Sequence, residues 1–267
     1  MTTRMFGEPI ARLEDPRLVG GDGRYLDDLG PQALAAAFVR SPHAHARIAD
    51  IDAAEALEVP GLAAIYTYED LDGRVAEPLP LLIPHPDLHA PRTGYPLANG
   101  VVRHVGEPVV MVVAADRYLA EDACERIRVV YEPLSPVVGI QAAVRAEHAV
   151  HDDVPDNVAA HMVQEVGDAR AAIAAAPHRL ELDLEIERSA SMPLEGKGVY
   201  ARWDDADRSL RVYSSTQTST SVRFALAAKL EVPVDRVEVV APDVGGGFGV
   251  KIVHPWPEEV LVPWAAM

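Results

Sequence analysis

The chain has 267 residues, 49% of them hydrophobic, which is enough to build one large or two medium domains with buried cores. Its 24 basic and 41 acidic residues give a formal charge of -17, and the basic stripes that bind nucleic acid are missing. The single cysteine, Cys124, excludes a disulfide framework and a cysteine-ligated iron–sulfur or zinc site within this chain.

The amino terminus has no apolar core of the length that a signal peptide needs, and no later run approaches the roughly 18 apolar residues of a membrane span. We therefore expect a cytoplasmic protein without a membrane span. The chain contains 22 prolines, which is more than average and predicts many loops.

The first part of the chain predicts short alternating elements. Turn-forming residues at 20–28 precede a small apolar run at 33–39, which is typical of a buried strand. Three apolar residues at helical spacing predict a helix over 49–57, and Pro60 and Gly61 end that pattern. Residues 62–66 are expected to form another strand.

Six prolines between Pro78 and Leu97 predict a long irregular segment. The β-branched run 109–115 predicts a central strand, and residues 119–127 show a helical apolar face. Alternation over 127–131 predicts a further strand. The order strand, helix, strand predicts a compact α/β unit.

A proline-containing stretch at 132–157 is the best candidate for an inter-domain connection, so we predict domains at 1–140 and 141–267. Asp168 is placed to cap an alanine-rich helix over 169–175. Apolar and acidic residues alternate from Leu180 to Glu187, which predicts a strand with one apolar and one solvated face.

The last part of the chain predicts a strand at 210–215 and a polar turn at 216–220. A helix starts near Thr220, because Val222, Leu226 and Leu230 share one helical face. A strand at 237–240 runs into a glycine-rich loop, and a final helix is expected over 256–267.

The glycine loop consists of Gly245, Gly246, Gly247, Phe248 and Gly249. Glycine permits unusual backbone angles and lets backbone N–H groups approach a ligand closely, as in anion-binding nests. A flexible hairpin turn is the alternative interpretation. A nucleotide-binding Walker A loop is excluded, because Ile252 follows Lys251 where that motif requires Ser or Thr, and the dinucleotide fingerprint also fails.

Gln217 lies where a predicted strand ends and a helix begins. A neutral carboxamide at such a point can donate to an oxo or phosphate oxygen without adding charge. A solvated or helix-capping glutamine is the alternative. Gln217 and the glycine loop flank one short helix and strand, so both can face one cleft.

Several segments occur in the order known from the large subunits of the xanthine oxidase, aldehyde oxidase and aerobic carbon monoxide dehydrogenase family, which this chain resembles over nearly all its length. Those segments are Gly20-Gly-Asp-Gly-Arg-Tyr-Leu-Asp-Asp28, Arg40-Ser-Pro-His-Ala-His-Ala46, Val105-Gly-Glu-Pro-Val109, Ala120-Glu-Asp-Ala123, Tyr131-Glu-Pro-Leu134, Ser215-Thr-Gln217 and Asp243-Val-Gly-Gly-Gly-Phe-Gly-Val-Lys251. The resemblance implies an α+β fold. An α/β hammerhead domain over 1–140 would be followed by the first portion of a mixed α/β molybdopterin-binding domain over 141–267.

The resemblance also implies functional residues. Gln217 would hydrogen-bond an oxo ligand of molybdenum as the catalytic residue of this chain. Gly245, Gly246, Gly247, Phe248 and Gly249, with Gln217, would bind the molybdenum–molybdopterin cofactor, and no protein side chain here would ligate the metal. The family's general-base glutamate lies beyond this chain. Ile252 stands where purine-oxidising members carry a substrate-binding glutamate, so a purine substrate is disfavoured.

Family members oxidise an aldehyde, an N-heterocycle or carbon monoxide, with water as the oxygen source. The resemblance therefore implies three partners: a chain with the rest of the molybdopterin domain, an iron–sulfur subunit with 2Fe-2S clusters, and an FAD subunit. We interpret Glu195, in the segment Met192 to Gly198, as a structural ion-pair residue, with a catalytic role as the alternative. A non-catalytic structural or assembly subunit that binds no cofactor is the alternative function.

Overall fold

The computed structural model describes residues 6–29, 33–81, 83–186, 190–252 and 255–267. Within these ranges the fold mixes helices and strands, as predicted, and its strands form three sheets of three strands each. The strands are β1 (Ala35–Arg40), β2 (Ala46–Asp52), β3 (Leu62–Tyr66), β4 (Val101–Val102), β5 (Pro108–Ala114), β6 (Arg128–Pro133), β7 (Val199–Asp204), β8 (Ser209–Ser214) and β9 (Val237–Val240). The α-helices are α1 (Asp15–Val19), α2 (Arg117–Glu125), α3 (Ile140–Arg145), α4 (Ala169–Ala175), α5 (Ser219–Lys229) and α6 (Pro257–Ala266). None of these helices is long and apolar enough to cross a membrane.

The first sheet has the order β1-β5-β3, with antiparallel pairing on both sides of β5. Residues Val109–Val112 of β5 are fully buried. A strand covered on both faces and both edges needs apolar residues at consecutive positions, since no side chain points to water. The predicted central strand is therefore confirmed.

The second sheet has the order β4-β2-β6, and it corrects the helix predicted over 49–57. Residues 49–52 continue β2, and only Ala56–Glu58 form a short 3-10 turn. A register shift between Ile48 and Asp50 interrupts the pairing of β2 with β6. The apolar spacing of Ile51, Ala54 and Leu57 does not mark a helical face, because Ile51 packs against the core from β2 whereas Ala54 and Leu57 are exposed.

The order β5, α2, β6 matches the predicted strand, helix and strand, but the two strands belong to different sheets. The compact α/β unit is nevertheless confirmed in its packing, because β5, α2 and β6 contribute side chains to one core cluster. Helix α2 begins at Arg117, and the Asp116 carboxylate accepts the Leu119 N–H at 2.9 Å. Its buried Ala120 and Ala123 pack on the sheets.

Helix α4 has the predicted bounds, and the Asp168 carboxylate accepts the Ala171 N–H at 2.8 Å, as expected of a helix cap. The strand predicted from Leu180 is wrong for residues 180–186, which form no ladder with another described segment, and Glu187 lies outside the described residues. Alternation supplies an apolar face, but a strand also needs a neighbour for its N–H and C=O groups.

The third sheet has the order β7-β8-β9, with β7 antiparallel and β9 parallel to β8. Helix α5 makes the crossover from β8 to β9, and its Val222 and Leu226 are buried as predicted. The same core cluster contains residues from the first half of the chain, including Leu97 and Met111. The carboxyl ends of β8 and β9 consequently lie side by side on a firmly packed base.

Candidate functional site

The candidate site lies where β8 and β9 end. Parallel neighbours bring their carboxyl ends to the same edge of a sheet, which is where α/β sheets commonly bind ligands. Gln217 follows β8 before α5 begins, and the glycine loop, residues Gly245–Gly249, follows β9. The fold therefore brings together the two features that the sequence singled out.

Gln217 and the glycine loop are in direct contact. The Gln217 Oε1 atom accepts the Gly249 N–H at 3.1 Å. A Cβ atom added to Gly247 would lie 2.4 Å from Gln217 Cδ, so a side chain at position 247 would displace the carboxamide. The backbone N–H of Gln217 donates to the Lys251 carbonyl at 3.0 Å, which ties the start of α5 to the end of the loop.

The glycine loop has an unusual backbone. Gly246 and Gly249 have φ angles of +102° and +88°, in the region that glycine tolerates and other residues avoid. Phe248 has φ 49° although it is aromatic, and 73% of its surface is exposed. A strained backbone combined with an exposed aromatic ring is costly, which makes this segment a candidate for ligand binding.

A second segment covers the other side of the glycine loop. We call residues Ser191–Glu195 the flanking segment. The Ser191 Oγ donates to the Phe248 carbonyl at 3.0 Å, and the Glu195 N–H donates to the Gly245 carbonyl at 3.1 Å. A Cβ atom at Gly245 would come within 2.5 Å of Glu195 Cβ. The loop is thus held between the flanking segment and Gln217.

Glu195 and Lys251 form a buried ion pair beneath the loop. Glu195 Oε2 accepts from Ser215 Oγ at 2.5 Å, Gly245 N at 2.8 Å and Lys251 Nζ at 3.1 Å. The Lys251 side chain is 1% exposed, and its Nζ also donates to Ser215 Oγ at 2.7 Å. Burial would raise the pKa of Glu195, but these hydrogen bonds outweigh it, and the pKa lies below its ordinary value.

A second buried ion pair lies next to the first. Lys197 Nζ contacts Glu259 Oε1 at 2.7 Å, and the two side chains are 4% and 1% exposed. Ser214 Oγ donates to the same carboxylate at 2.6 Å, and the Trp256 N–H donates to Glu259 Oε2 at 2.9 Å. Burial lowers the pKa of Lys197. The segment that precedes β7 is therefore attached to the glycine loop through Glu195 and to α6 through Lys197.

The entrance to the glycine loop is anchored by the amino-terminal segment. The Asp243 carboxylate accepts two hydrogen bonds from the Arg17 guanidinium and one from the Arg24 N–H at 2.7 Å. The Asp243 N–H donates back to the Arg24 carbonyl at 3.0 Å. These contacts, led by the Arg17 guanidinium, hold the pKa of Asp243 well below its usual range.

Sequence reasoning found the loop and Gln217 but missed the charged layer below them. Glu195 was interpreted as an ion-pair residue, and its contact with Lys251 confirms this. The burial of Lys251, Lys197 and Glu259 was not anticipated, because charged residues are rarely buried unless paired and their partners are distant in sequence. One usable signal was the group Glu195-Gly196-Lys197, two opposite charges next to a conformationally free glycine.

Comparisons with known proteins identify the family of this chain. Residues 20–135 match the family model described as aldehyde oxidase and xanthine dehydrogenase, a/b hammerhead domain. Residues 150–267 match the model described as molybdopterin cofactor-binding domain. The second range contains Gln217, the flanking segment and the glycine loop.

Full-length relatives give the same result. The chain is 35% identical to the nicotine 6-hydroxylase large subunit of Paenarthrobacter nicotinovorans over 100% of its own length and 32% of the relative. It is 33% identical to the carbon monoxide dehydrogenase large chain of Afipia carboxidovorans over 90% of its length and 31% of that chain. The crystal structure of quinoline 2-oxidoreductase from Pseudomonas putida 86 matches with a TM-score of 0.83 at 35% identity, covering 96% of this chain and 32% of that one.

The chain thus spans about a third of the length of the relatives it matches. Several of those relatives are named as large subunits or as members of a subunit complex. Two family models in the expected order and a matching fold lead to one conclusion: the chain belongs to the xanthine oxidase, aldehyde oxidase and carbon monoxide dehydrogenase family, in which it corresponds to the amino-terminal part of the large, molybdopterin-binding subunit.

Proposed function

We propose that this chain forms one wall of the cofactor site of a molybdenum hydroxylase. The observation that supports the proposal best is the contact between Gln217 and the glycine loop, where the Gly249 N–H donates to Gln217 Oε1 at 3.1 Å. A non-catalytic structural subunit has no need for a loop with this strained backbone beside an exposed aromatic ring.

The residues present fit an oxygen-rich, anionic cofactor. The edge of the loop at Gly249 borders open space, since nothing lies within 4 Å of the Cβ position there. Its donors are backbone N–H groups and a carboxamide, all uncharged and fixed in place. Such donors bind anionic oxygens without adding a group that titrates, as in other nests and oxyanion sites.

In this proposal Gln217 directs its carboxamide N–H toward an oxo ligand, while its Oε1 is held by the Gly249 N–H. Gly245, Gly246, Gly247 and Gly249 let the backbone approach the cofactor, and the exposed Phe248 ring covers it from one side. The bound molybdenum cofactor supplies the oxidation and the activation of water, and the protein supplies orientation and polarisation.

The names of relatives support an aromatic N-heterocycle as substrate. One relative is a nicotine 6-hydroxylase and one structural neighbour is a quinoline 2-oxidoreductase, each 35% identical to this chain. Ile252, an apolar residue directly after the loop-ending Lys251, suits a heterocycle that lacks the polar edge of a purine. The expected reaction is hydroxylation of a ring carbon with water as the oxygen source.

The proposed assembly contains a chain with the rest of the molybdopterin domain, an iron–sulfur subunit with 2Fe-2S clusters and a subunit with FAD. Nucleic acid is not expected as a partner, because the chain carries a formal charge of -17. The division at 1–140 and 141–267 is part of the same proposal, with the segment 141–149 leading into the cofactor domain.

The test is metal analysis of the complex purified with its natural partner chains. We expect stoichiometric molybdenum and hydroxylation of an N-heterocycle such as quinoline. An active, fully assembled preparation without molybdenum would reject the proposal in favour of the structural-subunit alternative. Molybdenum with no activity on N-heterocycles but with activity on aldehydes would reject the substrate class alone.

A further inference from the structure

Glu195 stands apart from the other charged residues near the site because all of its side-chain hydrogen bonds in the described structure converge on one oxygen atom. Its Oε2 accepts from a side chain of β8's end, Ser215, from the loop backbone at Gly245 and from Lys251. The other oxygen, Oε1, is buried and has no hydrogen-bond partner among the described residues. The carboxylate is therefore fixed through a single oxygen.

The three donors to Glu195 come from both sides of the site. Ser215 follows β8 and lies two residues before Gln217, whereas Gly245 opens the glycine loop and Lys251 lies two residues after it. The Lys251 carbonyl in turn accepts from the Gln217 N–H at 3.0 Å and from Thr216 Oγ1 at 3.2 Å. A shift of Glu195 would consequently move both the loop and the residue that faces it.

We infer that Glu195 is the positioning residue that fixes the glycine loop in its strained conformation opposite Gln217. The inference rests on the proposed function for its catalytic consequence, but the ordering of the loop by Glu195 does not depend on it. Glu195 touches no reacting atom in this account, and it acts through the Gly245 amide and through Lys251.

Energetics favours this role over simple charge neutralisation. A buried lysine could be neutralised by a carboxylate in many positions, yet Glu195 directs one lone-pair region to a loop amide at 2.8 Å. Hydrogen bonds to charged acceptors are stronger than those between neutral groups. Such a bond can offset the cost of a strained backbone residue such as Phe248, whose φ angle is 49°.

The experiment compares two double variants in the full-length subunit within its assembled complex. Glu195→Gln with Lys251→Met keeps an acceptor for the Gly245 amide, whereas Glu195→Met with Lys251→Met removes it. Neither variant leaves a buried charge unpaired, so they differ mainly in the hydrogen bond to the loop. The Gln NH2 group can occupy the Oε1 position, which faces no described hydrogen-bond donor.

The readouts are amide hydrogen exchange over residues 243–250 and the amount of molybdenum retained after purification. We expect loop exchange in the methionine pair to be at least about tenfold faster than in the glutamine pair, the equivalent of one lost hydrogen bond. Retained molybdenum and kcat should fall with it, while KM stays nearly unchanged.

Equal loop exchange in the two double variants would overturn the inference. If the methionine pair does not fold, Glu195→Asp takes its place, because aspartate keeps a charge for Lys251 but draws the carboxylate back from Gly245. Loop exchange in Glu195→Asp that equals the wild-type rate would also overturn the inference. Failure of the proposed function is distinguishable from failure of this inference. It would appear as absence of molybdenum from the wild-type complex, and the exchange rates of the two double variants could still be compared.

Discussion

The guanidinium of Arg17 donates hydrogen bonds to the carboxylate of Asp243, a residue 226 positions later, with an Nη2–Oδ1 distance of 2.8 Å. The amino-terminal segment thus holds the entrance of the glycine loop, while Glu195 holds its underside. A motif near the start of the chain, Gly20 to Asp28, therefore lies next to the site that the end of the chain builds.

Replacing Arg17 with Met should loosen the loop entrance without unfolding the chain, because both side chains are partly exposed and the core is untouched. We expect faster hydrogen exchange at residues 241–246 and a fall in Tm no larger than that caused by Asp243→Asn, which also loses the bond to the Arg24 N–H. Arg12→Met is the matched control, since Arg12 pairs with Asp15 on the exposed surface of the same segment. Equal exchange in the two variants would contradict an anchoring role for Arg17.

Stability should depend on the ionisation of Asp243 in acid. Its folded pKa lies below the unfolded value of about 3.9, so the charged form stabilises the fold fully above that value, and the benefit is lost as pH falls toward the folded pKa. Asp243→Asn should therefore be less stable than the wild type at pH 6, and the difference should shrink below about pH 4. Urea unfolding at several pH values measures it, and a constant difference would refute the prediction.

Gln217→Ala should lower turnover by about 100- to 1,000-fold, in line with the loss of one fixed donor at a reacting oxygen. Assembly and molybdenum content should stay intact, because Gln217 is exposed and no core contact depends on it. Gln141→Ala, at an exposed position of α3, controls for removal of a surface carboxamide. Steady-state kinetics and metal content are measured together, and full activity of the Gln217 variant would exclude it from the chemistry.

Gly247→Ala should mimic the loss of Gln217. The new Cβ atom would lie 2.4 Å from Gln217 Cδ, and the flexible carboxamide would rotate away and release the Gly249 N–H. We expect a similar fall in kcat with a small change in Tm. Gly196→Ala is the control, because no atom lies within 4 Å of its Cβ position. A wild-type kcat for Gly247→Ala would show that the contact between Gly247 and Gln217 does not contribute to catalysis.

Cys124 should be slow to alkylate. Burial raises the pKa of its thiol to about 11, so at pH 8 only about one molecule in a thousand carries the thiolate. Iodoacetamide should alkylate Cys124 far more slowly than it alkylates the free thiol of glutathione, as followed by mass spectrometry. The alkylation rate of Cys124 should keep rising to about pH 11. A rate that levels off near the ordinary cysteine pKa of about 8.5 would contradict this prediction.

Elements with a strong local signal were predictable from the sequence. The buried run of β5, the capped helix α4 and the helix α5 with Val222 and Leu226 on one face all have the expected type. Gln217 and the glycine loop were also predictable, because each directly follows a strand and the two strands are separated by one helix. Local pattern is sufficient where the neighbouring element is close in the chain.

Long-range features were not predictable in the same way. The bulge between Ile48 and Asp50 changes the period of β2, and only the pairing with β6 reveals it. The burial of Lys197 depends on Glu259, which lies in the last helix. The placement of β5 and β6 in different sheets likewise depends on their partner strands, β1 and β3 for β5 and β2 for β6, which the local sequence pattern does not indicate.

The alternating segment 180–186 has a consequence for handling the isolated chain. Its apolar residues Leu180, Leu182, Leu184 and Ile186 are exposed, and its backbone pairs with no other described strand. An exposed apolar segment without a backbone partner can pair with a second copy and start intermolecular β-aggregation. Glu181, Asp183 and Glu185 oppose this, since in-register stacking would place like charges side by side. Concentrated solutions of the isolated chain should therefore stay clear at low salt and become turbid at high salt, which screens that repulsion.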